Sequence, residues 1–258
     1  MSKYAVVTGA SSGIGLEMTK ILAAMGYNLF IVARRKDRLD KIAEKIEAHY
    51  NVKCETMKAD LSKISGCDEL YDRIKDLSVE IFINNAGFGK CGPFLKTELS
   101  VEMDMLDLNC RAMHYLFKKM TRKMYNEREA YIMNVGSSAG LLPGGPYMAT
   151  YYASKAYVTS LTQAVNSELK DINSGLKVSC LCPGPVQTEF NEVADVEFAL
   201  PGISARDCAL IALTEMFKGK CVIVPKLYMK AAVIGGRLLP RKLLVDMTGR
   251  QQKKKLNR

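Results

Sequence analysis

Short apolar runs alternate along this chain with segments of helical spacing, and this alternation limits the fold more than any other feature. The apolar runs lie at residues 4–8, 28–33, 52–58, 79–84, 130–136, 175–182 and 221–225. Helical spacing occupies the intervals, at residues 14–25, 39–50, 70–77, 101–125, 151–169 and 205–217. Runs that are apolar on both faces and separated by single helices are typical of a parallel sheet covered by helices. We therefore predict an α/β fold with a doubly wound parallel sheet of about seven strands and helices on both faces.

The basic residues are concentrated at the end of the chain. The net charge is +10, and the segment from Lys218 onward holds 12 lysines or arginines against one acidic residue, Asp246. The rest of the chain is close to electrical balance. An overall basic charge therefore does not make the body a nucleic-acid binder, and we expect no specific nucleic-acid partner.

The cysteines and histidines do not form a metal-binding pattern. The eight cysteines include no C-x-x-C pair, and the only histidines are His49 and His114. We expect no metal site and buried thiols in a reducing compartment. No run approaches 18 apolar residues, and a motif that begins at Tyr4 leaves no room for a signal peptide. The expected location is cytoplasmic, with attachment to a membrane surface as the alternative.

A glycine-rich turn follows the first strand run. Residues 8–15 read Thr-Gly-Ala-Ser-Ser-Gly-Ile-Gly, with glycines at positions 9, 13 and 15. Glycines let the backbone turn sharply and approach a phosphate closely, and the following helix offers its positive end to that anion. The spacing differs from the common G-x-G-x-x-G dinucleotide fingerprint. Its place between a strand and a helix still predicts a nucleotide-binding site.

Several further motifs occur in a fixed order after this turn, and together the chain resembles the short-chain dehydrogenase/reductase family over residues 4 to about 225. The motifs are Asp60, Asn84-Asn85-Ala86-Gly87, Asn109, Ser138, Tyr151-x-x-x-Lys155 and Pro183-Gly184-x-Val186-x-Thr188. The resemblance implies a Rossmann-like sheet, a dinucleotide-binding catalytic domain at residues 1–225 and a homodimer or homotetramer. Residues 226–258 form a basic, leucine-rich extension packed on or trailing that domain.

Tyr151 and Lys155 have the spacing of an acid–base pair. Residues four apart on a helix share a face, and an ammonium beside a phenol favours phenolate. Tyr147 and Tyr152 lie close by, but only Tyr151 is four residues from Lys155 and 13 from Ser138. Ser137 is the rival of Ser138, and the family spacing selects Ser138. By resemblance, Tyr151 transfers the proton, Ser138 binds the substrate oxygen, Asn109 holds a relay water, and Lys155 also binds the nicotinamide ribose.

The end of the second strand run indicates which cofactor is used. NAD-binding relatives have an acidic residue where this chain has Ala33, and Arg34 and Arg35 follow. Because a guanidinium binds a 2′-phosphate and a carboxylate repels it, we predict NADP(H), with Arg34 as the leading contact. The predicted cofactor-binding residues are Gly9, Ser11, Ser12, Gly13, Ile14, Gly15, Arg34, Arg35, Asp60, Leu61, Asn85, Ala86, Gly87, Tyr151, Lys155, Pro183, Gly184, Val186 and Thr188.

The segments expected at the substrate cleft are largely apolar. Residues 141–148 and 190–200 contain no arginine that would clamp a carboxylate or phosphate. This favours a hydrophobic ketone or secondary alcohol of the 3-oxoacyl, steroid or bile-acid type. The alternatives are a small aldehyde or sugar substrate, or a non-catalytic nucleotide-binding protein docked to a membrane. The basic end of the chain is either a solvated terminus, a peripheral contact with an anionic membrane, or a site for an acidic partner.

Overall fold

The computed structural model describes residues 3–190, 194, 202–236 and 238–256, with side chains to Lys253. Most of the predicted 190–200 segment, Arg237 and Arg258 therefore lie outside the described residues. A seven-stranded, wholly parallel sheet forms the centre, in the order β3-β2-β1-β4-β5-β6-β9. The strands are β1 (Tyr4–Thr8), β2 (Asn28–Ala33), β3 (Cys54–Lys58), β4 (Val79–Asn84), β5 (Ala130–Val135), β6 (Leu176–Leu181) and β9 (Val222–Ile223). The predicted fold class is confirmed.

Helices cover both faces of this sheet. They are α1 (Gly13–Ala24), α2 (Lys36–His49), α3 (Ile64–Ile74), α4 (Leu99–Leu106), α5 (Met113–Met124), α6 (Ala149–Asp171) and α7 (Ala205–Phe217). One core joins α3, α5 and α6 to the sheet, with Phe30 and Phe82 fully buried in it. The other core joins α1, α2 and α7 to the opposite face, around residues such as Met18 and Leu22. Alternate side chains of each strand thus enter different cores, which explains why the strands are apolar on both faces.

One long helix predicted at residues 101–125 is divided in the structure. A π-helical segment, Asp107–Ala112, separates α4 from α5 and contains the buried Asn109. Single π-turns inside α-helices are frequent at functional sites because they redirect the side chains of one turn. Hydrophobic periodicity alone does not reveal such an interruption, since both kinds of helix bury a similar stripe.

The segment after β9 forms two further helices. These are α8 (Leu227–Gly236) and α9 (Arg241–Leu256), and Pro240 lies between them. The break lies at Pro240 because proline has no backbone N–H to donate and its ring clashes with the preceding helical turn. A short parallel pair, β7 (Val186–Gln187) and β8 (Ile203–Ser204), lies ahead of α7. Within the described ranges, no helix has both the length and the apolar character of a membrane span.

The order of the strands reverses between β1 and β4, and Thr8 joins the two strands there. Its hydroxyl oxygen accepts hydrogen bonds from the backbone N–H groups of Asn85 (2.9 Å) and Ala86 (3.0 Å), and donates one to the carbonyl of Ile83 (3.3 Å). Thr8 is fully buried. Because ligands of open α/β sheets bind where the strand order reverses, this junction positions the site.

We predict that Thr8→Val lowers the free energy of unfolding by about 2–4 kcal/mol, because two buried N–H groups lose their acceptor. Thr8→Ser keeps the oxygen and is the matched control, with an expected loss of about 1 kcal/mol for the missing methyl group. Equilibrium urea unfolding measures both variants. Equal losses for valine and serine would show that the methyl group, and not the hydroxyl, stabilises the junction.

Candidate active site

A cleft of about 500 Å³ opens at the carboxyl ends of the central strands. It brings together nearly all of the residues predicted from the sequence to bind cofactor or substrate. Among the residues predicted individually, Gly15 and Asn109 do not line it, and of the predicted segment 141–148 only Leu142 and Met148 do. At Gly15, a Cβ atom would stand 2.6 Å from the carbonyl oxygen of Gly9, so the first turn of α1 approaches the glycine-rich turn too closely for any larger residue.

The glycine-rich turn presents an anion-binding end of α1 to the cleft. Gly9 has φ +66°, a left-handed conformation that favours glycine. Ser12 precedes α1, yet its side chain makes no capping hydrogen bond, and the first turn of α1 contains no acidic residue. The N–H groups at this positive helix end therefore meet no capping side chain, which suits a dinucleotide pyrophosphate.

Two arginines follow β2 at the edge of the cleft, and they are held differently. Arg35 donates hydrogen bonds to the hydroxyls of Ser11 (3.1 Å) and Ser12 (3.0 Å) and pairs with Glu189 (2.9 Å). Arg34 is exposed and lines the same cleft. Arg38 also pairs with Glu189, and these arginines hold the pKa of that carboxyl below its usual value, Arg38 having the larger effect. Sequence reasoning missed both Glu189 and Arg38.

Two predicted adenosine contacts make local hydrogen bonds. The Asp60 carboxylate accepts from the backbone N–H (3.1 Å) and the hydroxyl (2.8 Å) of Ser62. The Asn85 amide donates to the carbonyls of Thr8 (2.9 Å) and Gly9 (3.2 Å), so it braces the glycine-rich turn. Both residues still line the cleft.

Tyr151 and Lys155 lie on the first turns of α6, both buried. The tyrosine ring packs against Phe190, with 5.6 Å between ring centroids. The Lys155 ammonium donates to the carbonyl of Val135 (2.8 Å) and lies 5.9 Å from the centroid of the Tyr151 ring. The carbonyl at the end of β5 therefore orients the lysine beside the tyrosine.

Ser137, the alternative that the family spacing did not select, also lies beside Tyr151. A hydrogen bond with Ser137 acts to lower the pKa of Tyr151. The Ser137 oxygen also accepts from the backbone N–H of Ala139 (3.1 Å), while Ser138 begins a 3-10 turn, Ser138–Leu141. Both serines line the cleft, so the role of Ser138 stays a prediction and Ser137 stays its alternative.

Burial has the largest effect on the pKa values of Tyr151 and Lys155, and it shifts them in opposite directions. It raises the pKa of Tyr151 to about 12, despite the opposing hydrogen bond from Ser137. It lowers the pKa of Lys155 to about 8, because the buried ammonium loses its hydration. The sequence argument expected the lysine to lower the pKa of the tyrosine. In this structure burial outweighs that effect, and at neutral pH the tyrosine keeps its proton.

Asn109 uses its side chain to join three parts of the site. Its amide oxygen accepts from the N–H of Phe88 (3.1 Å), and its amide nitrogen donates to the Phe88 carbonyl (2.8 Å) and the Ser154 hydroxyl (3.1 Å). The side chain thus ties the loop after β4 to α6. Its expected part in a water relay stays a prediction.

The C-terminal helices form one wall of the cleft, which sequence reasoning did not foresee. Met229 of α8 and Gln252 of α9 both line it. The Gln252 amide nitrogen donates to the Tyr152 hydroxyl at 2.8 Å, and Gln252 is only 4% exposed. The Gln252 amide oxygen is buried without a hydrogen-bond partner among the described residues. The only local signal was the length of the chain after the last strand.

The arrangement can bind a dinucleotide and deliver a proton beside it. The helix terminus, the two serine hydroxyls and the arginines fit the phosphates of a nicotinamide dinucleotide, and Tyr151 holds a proton at the other end of the same cleft. Within the described ranges, no group of three or more histidine, cysteine or acidic side chains has a metal-binding arrangement.

The sequence matches a known family over most of its length. The family model described as short chain dehydrogenase matches residues 3–197. A very-long-chain 3-oxoacyl-CoA reductase of Neurospora crassa is 32% identical over 203 residues, which cover 77% of this chain and 60% of the relative. A relative with a similar name in Danio rerio is 25% identical over 255 residues, 95% of this chain and 78% of that protein. This chain spans about three fifths of the length of the fungal relatives it matches.

Solved structures share the fold. A short-chain dehydrogenase from Sphingobium yanoikuyae, determined in complex with NADPH, has a TM-score of 0.83 and 29% identity, covering 92% of this chain and 94% of the other. A bulky-bulky ketone specific alcohol dehydrogenase from Comamonas testosteroni has a TM-score of 0.78 and 28% identity, with 92% of each chain covered. A 7β-hydroxysteroid dehydrogenase, at 20% identity and a TM-score of 0.85, with 95% and 96% of the two chains covered, shows the fold alone.

We predict that Tyr152→Phe lowers the free energy of unfolding by about 1–3 kcal/mol, because it leaves the buried Gln252 amide without any partner. Adding Gln252→Leu removes that amide, so the double variant recovers most of the loss. Urea unfolding and the rate of proteolysis within α9 measure the cycle. If the loss of unfolding free energy in the double variant equals the sum of the losses in Tyr152→Phe and Gln252→Leu, the two side chains do not stabilise each other.

Proposed function

The chain belongs to the short-chain dehydrogenase/reductase family, and we propose that it is an NADP-dependent oxidoreductase acting on a hydrophobic ketone or secondary alcohol. The observation that carries this proposal is the buried Tyr151, with Lys155 beside it, at the apolar end of a cleft whose other end carries Arg34 and Arg35. Family membership makes it a dehydrogenase or reductase. The cofactor preference and the substrate class are the proposed part.

Each of the proposed catalytic residues has a separate role in the reaction. When bound, the nicotinamide cofactor supplies or accepts the hydride. Tyr151 donates its proton to the carbonyl oxygen during reduction, since its raised pKa keeps it protonated at neutral pH. Ser138 donates a hydrogen bond to that oxygen, with Ser137 as the alternative. Lys155, oriented by the Val135 carbonyl, holds the nicotinamide ribose and returns a proton to Tyr151.

The preference for NADP(H) is supported by charge at the end of β2. Ala33 offers no carboxylate to a ribose, while Arg34 and Arg35 both line the cleft. Arg35 already contacts the two serine hydroxyls of the glycine-rich turn. Glu189 is neutralised by two arginines, so it does not repel a 2′-phosphate as an unpaired carboxylate would.

A hydrophobic substrate is supported by the lining around Tyr151. Apolar side chains surround it: Phe88, Leu142, Met148, Phe190 and Met229. Among the described residues of the cleft, the cations are Arg34, Arg35 and Lys155, and only Lys155 lies beside the tyrosine. A 3-oxoacyl chain, a steroid or a bile acid fits such a lining, and the names of the fungal relatives favour the 3-oxoacyl class.

Assembly and location complete the proposal. We propose a cytoplasmic homodimer or homotetramer, with peripheral contact between the basic C-terminal segment and a membrane. A small aldehyde or sugar remains the second substrate class. A non-catalytic nucleotide-binding role is disfavoured, because the buried Tyr151, Ser138 and Lys155 would form a complete proton-transfer set.

We predict that the wild-type chain oxidises NADPH with hydrophobic ketones and that Tyr151→Phe lowers kcat at least 100-fold, because the proton donor is lost. A panel of 3-oxoacyl thioesters, steroid ketones, a small aldehyde and a keto-sugar, each monitored by NADPH absorbance, identifies the substrate class. Tyr152→Phe is the neighbouring control, with kcat for a small ketone within about tenfold of wild type. Turnover of only the sugar or aldehyde would overturn the proposed substrate.

We predict that Ser138→Ala lowers kcat about 100-fold or more, while Ser137→Ala lowers it less than tenfold. Both hydroxyls line the cleft, so the pair of variants separates their roles. NADPH binding, measured by fluorescence titration, is expected to stay within a few-fold of wild type in both. The reverse order of effects would assign the role to Ser137.

We predict that Arg34→Ala weakens NADPH binding at least tenfold and changes NADH binding less than threefold, since one charge-assisted phosphate contact contributes about 1.5–3 kcal/mol. Arg122→Ala removes the same charge from an exposed residue of α5 that does not line the cleft and is the matched control. Dissociation constants for both cofactors decide the question. Equal weakening of NADPH and NADH by Arg34→Ala would make Arg34 a structural residue.

A further inference from the structure

Helix α8 is apolar on the side that faces away from the protein as well as on the side that faces it. Met229, Val233 and Gly236 are buried, at the spacing of one helix face. On the opposite face, Leu227 is 78% exposed and Ile234 is 62% exposed. A helix that is apolar all round is normally enclosed. This one lies at the surface of the chain, so its outer face is suited to a further apolar contact.

The apolar surface continues from α8 into α9. Leu238, between the two helices, is 85% exposed, and Leu243 and Met247 are exposed one turn apart on α9. Meanwhile Thr248 and Gln252 of α9 are buried against the protein. We call the exposed set Leu227, Ile234, Leu238, Leu239, Leu243 and Met247 the apolar ridge. Contiguous exposed apolar residues of this kind mark interaction sites.

Positive charge accompanies the apolar ridge. From Lys226 to Arg258 the sequence holds ten lysines or arginines and one acidic residue, Asp246. Lys226, which directly precedes α8, is exposed, and so are Arg241, Lys242 and Arg250 on α9. A second copy of this surface would bring like charges together, which disfavours self-association. An anionic surface is the complementary partner.

The position of the ridge beside the cleft favours lipid over an acidic protein. Tyr228 and Ala232 of α8, both exposed, also line the cleft that contains Tyr151. The same helices therefore border the outer surface and the apolar interior of the site. This choice of occupant rests on the proposed hydrophobic substrate, because such a compound partitions into a bilayer.

We propose that α8 and the start of α9 dock on the surface of an anionic lipid bilayer. The apolar ridge enters the interface between headgroups and acyl chains, and the surrounding lysines and arginines contact the headgroup phosphates. The inner faces of the same helices keep their contacts with the cleft. A hydrophobic substrate then passes between bilayer and cleft along α8 without crossing water.

Cosedimentation of the full chain with vesicles tests this proposal. Wild type is expected to pellet with vesicles containing phosphatidylglycerol, to pellet at least tenfold less with pure phosphatidylcholine, and to be released by 0.5 M salt, which screens the charges. The double variant Leu227→Ser/Ile234→Ser is expected to bind at least tenfold more weakly. Its matched control is Ile172→Ser, because Ile172 is also 62% exposed but follows the far end of α6.

A charge variant separates the two parts of the contact. Arg241→Gln/Lys242→Gln is expected to reduce binding to phosphatidylglycerol vesicles several-fold, and Lys41→Gln/Lys45→Gln on α2 removes the same charge without effect. The proposal would be overturned if wild type did not bind these vesicles. It would also be overturned if Leu227→Ser/Ile234→Ser and Arg241→Gln/Lys242→Gln both bound them as tightly as wild type. Sedimentation velocity showing a wild-type oligomer that Leu227→Ser/Ile234→Ser dissociates would overturn it as well, since the ridge would then be a contact between copies.

Activity in solution keeps this test independent of the proposed function. NADPH oxidation with a small soluble ketone is measured without vesicles for the same variants, and Ile172→Ser and Lys41→Gln/Lys45→Gln are expected to equal wild type. Vesicle binding with no turnover of any ketone would leave the docking surface standing and refute the proposed reaction. Turnover of a ketone with no vesicle binding would refute the docking surface and leave the proposed reaction standing.

Discussion

The hydrogen bonds of Thr8 at the junction of β1 and β4 are the constraint on which the rest of the structure depends. At this point the sheet reverses its strand order, and one buried hydroxyl satisfies the backbone of the chain leaving β4. Asn85, held there, braces the carbonyls of the glycine-rich turn. The cleft, the exposed end of α1 and the loop clamped by Asn109 all follow from this junction, because each extends from one of the two joined strands.

Burial is the second determinant, since it has the largest effect on the pKa values of Tyr151 and Lys155. Removing water raises the pKa of Tyr151 and lowers that of Lys155, so the uncharged form of each gains relative to solution. A protonated tyrosine beside apolar walls is suited to giving a proton to a carbonyl oxygen. The same apolar walls that produce this effect also select against charged substrates, so one physical cause underlies both the proposed chemistry and the proposed specificity.

The C-terminal segment links the site to the outer surface. Its inner face closes the cleft through Met229 and the hydrogen bond between Gln252 and Tyr152, one residue from Tyr151. Its outer face carries the apolar ridge and exposed basic residues. The helices that border the cleft are thus also the ones best suited to meet a lipid surface, because α8 is apolar on both faces and α9 combines exposed apolar and basic side chains.

The sequence by itself determined the features that repeat over short distances. Alternation of strand and helix periods predicted the seven-stranded sheet, and the glycine turn and the Tyr151–Lys155 step marked both ends of the cleft, because local spacing encodes local geometry.

Only the tertiary structure decided the contacts between distant residues. Arg35 meets Glu189 across 154 positions and Tyr152 meets Gln252 across 100. The raised pKa of Tyr151 depends on burial by several elements at once. Packing in three dimensions sets these properties, and no periodicity along the chain records it.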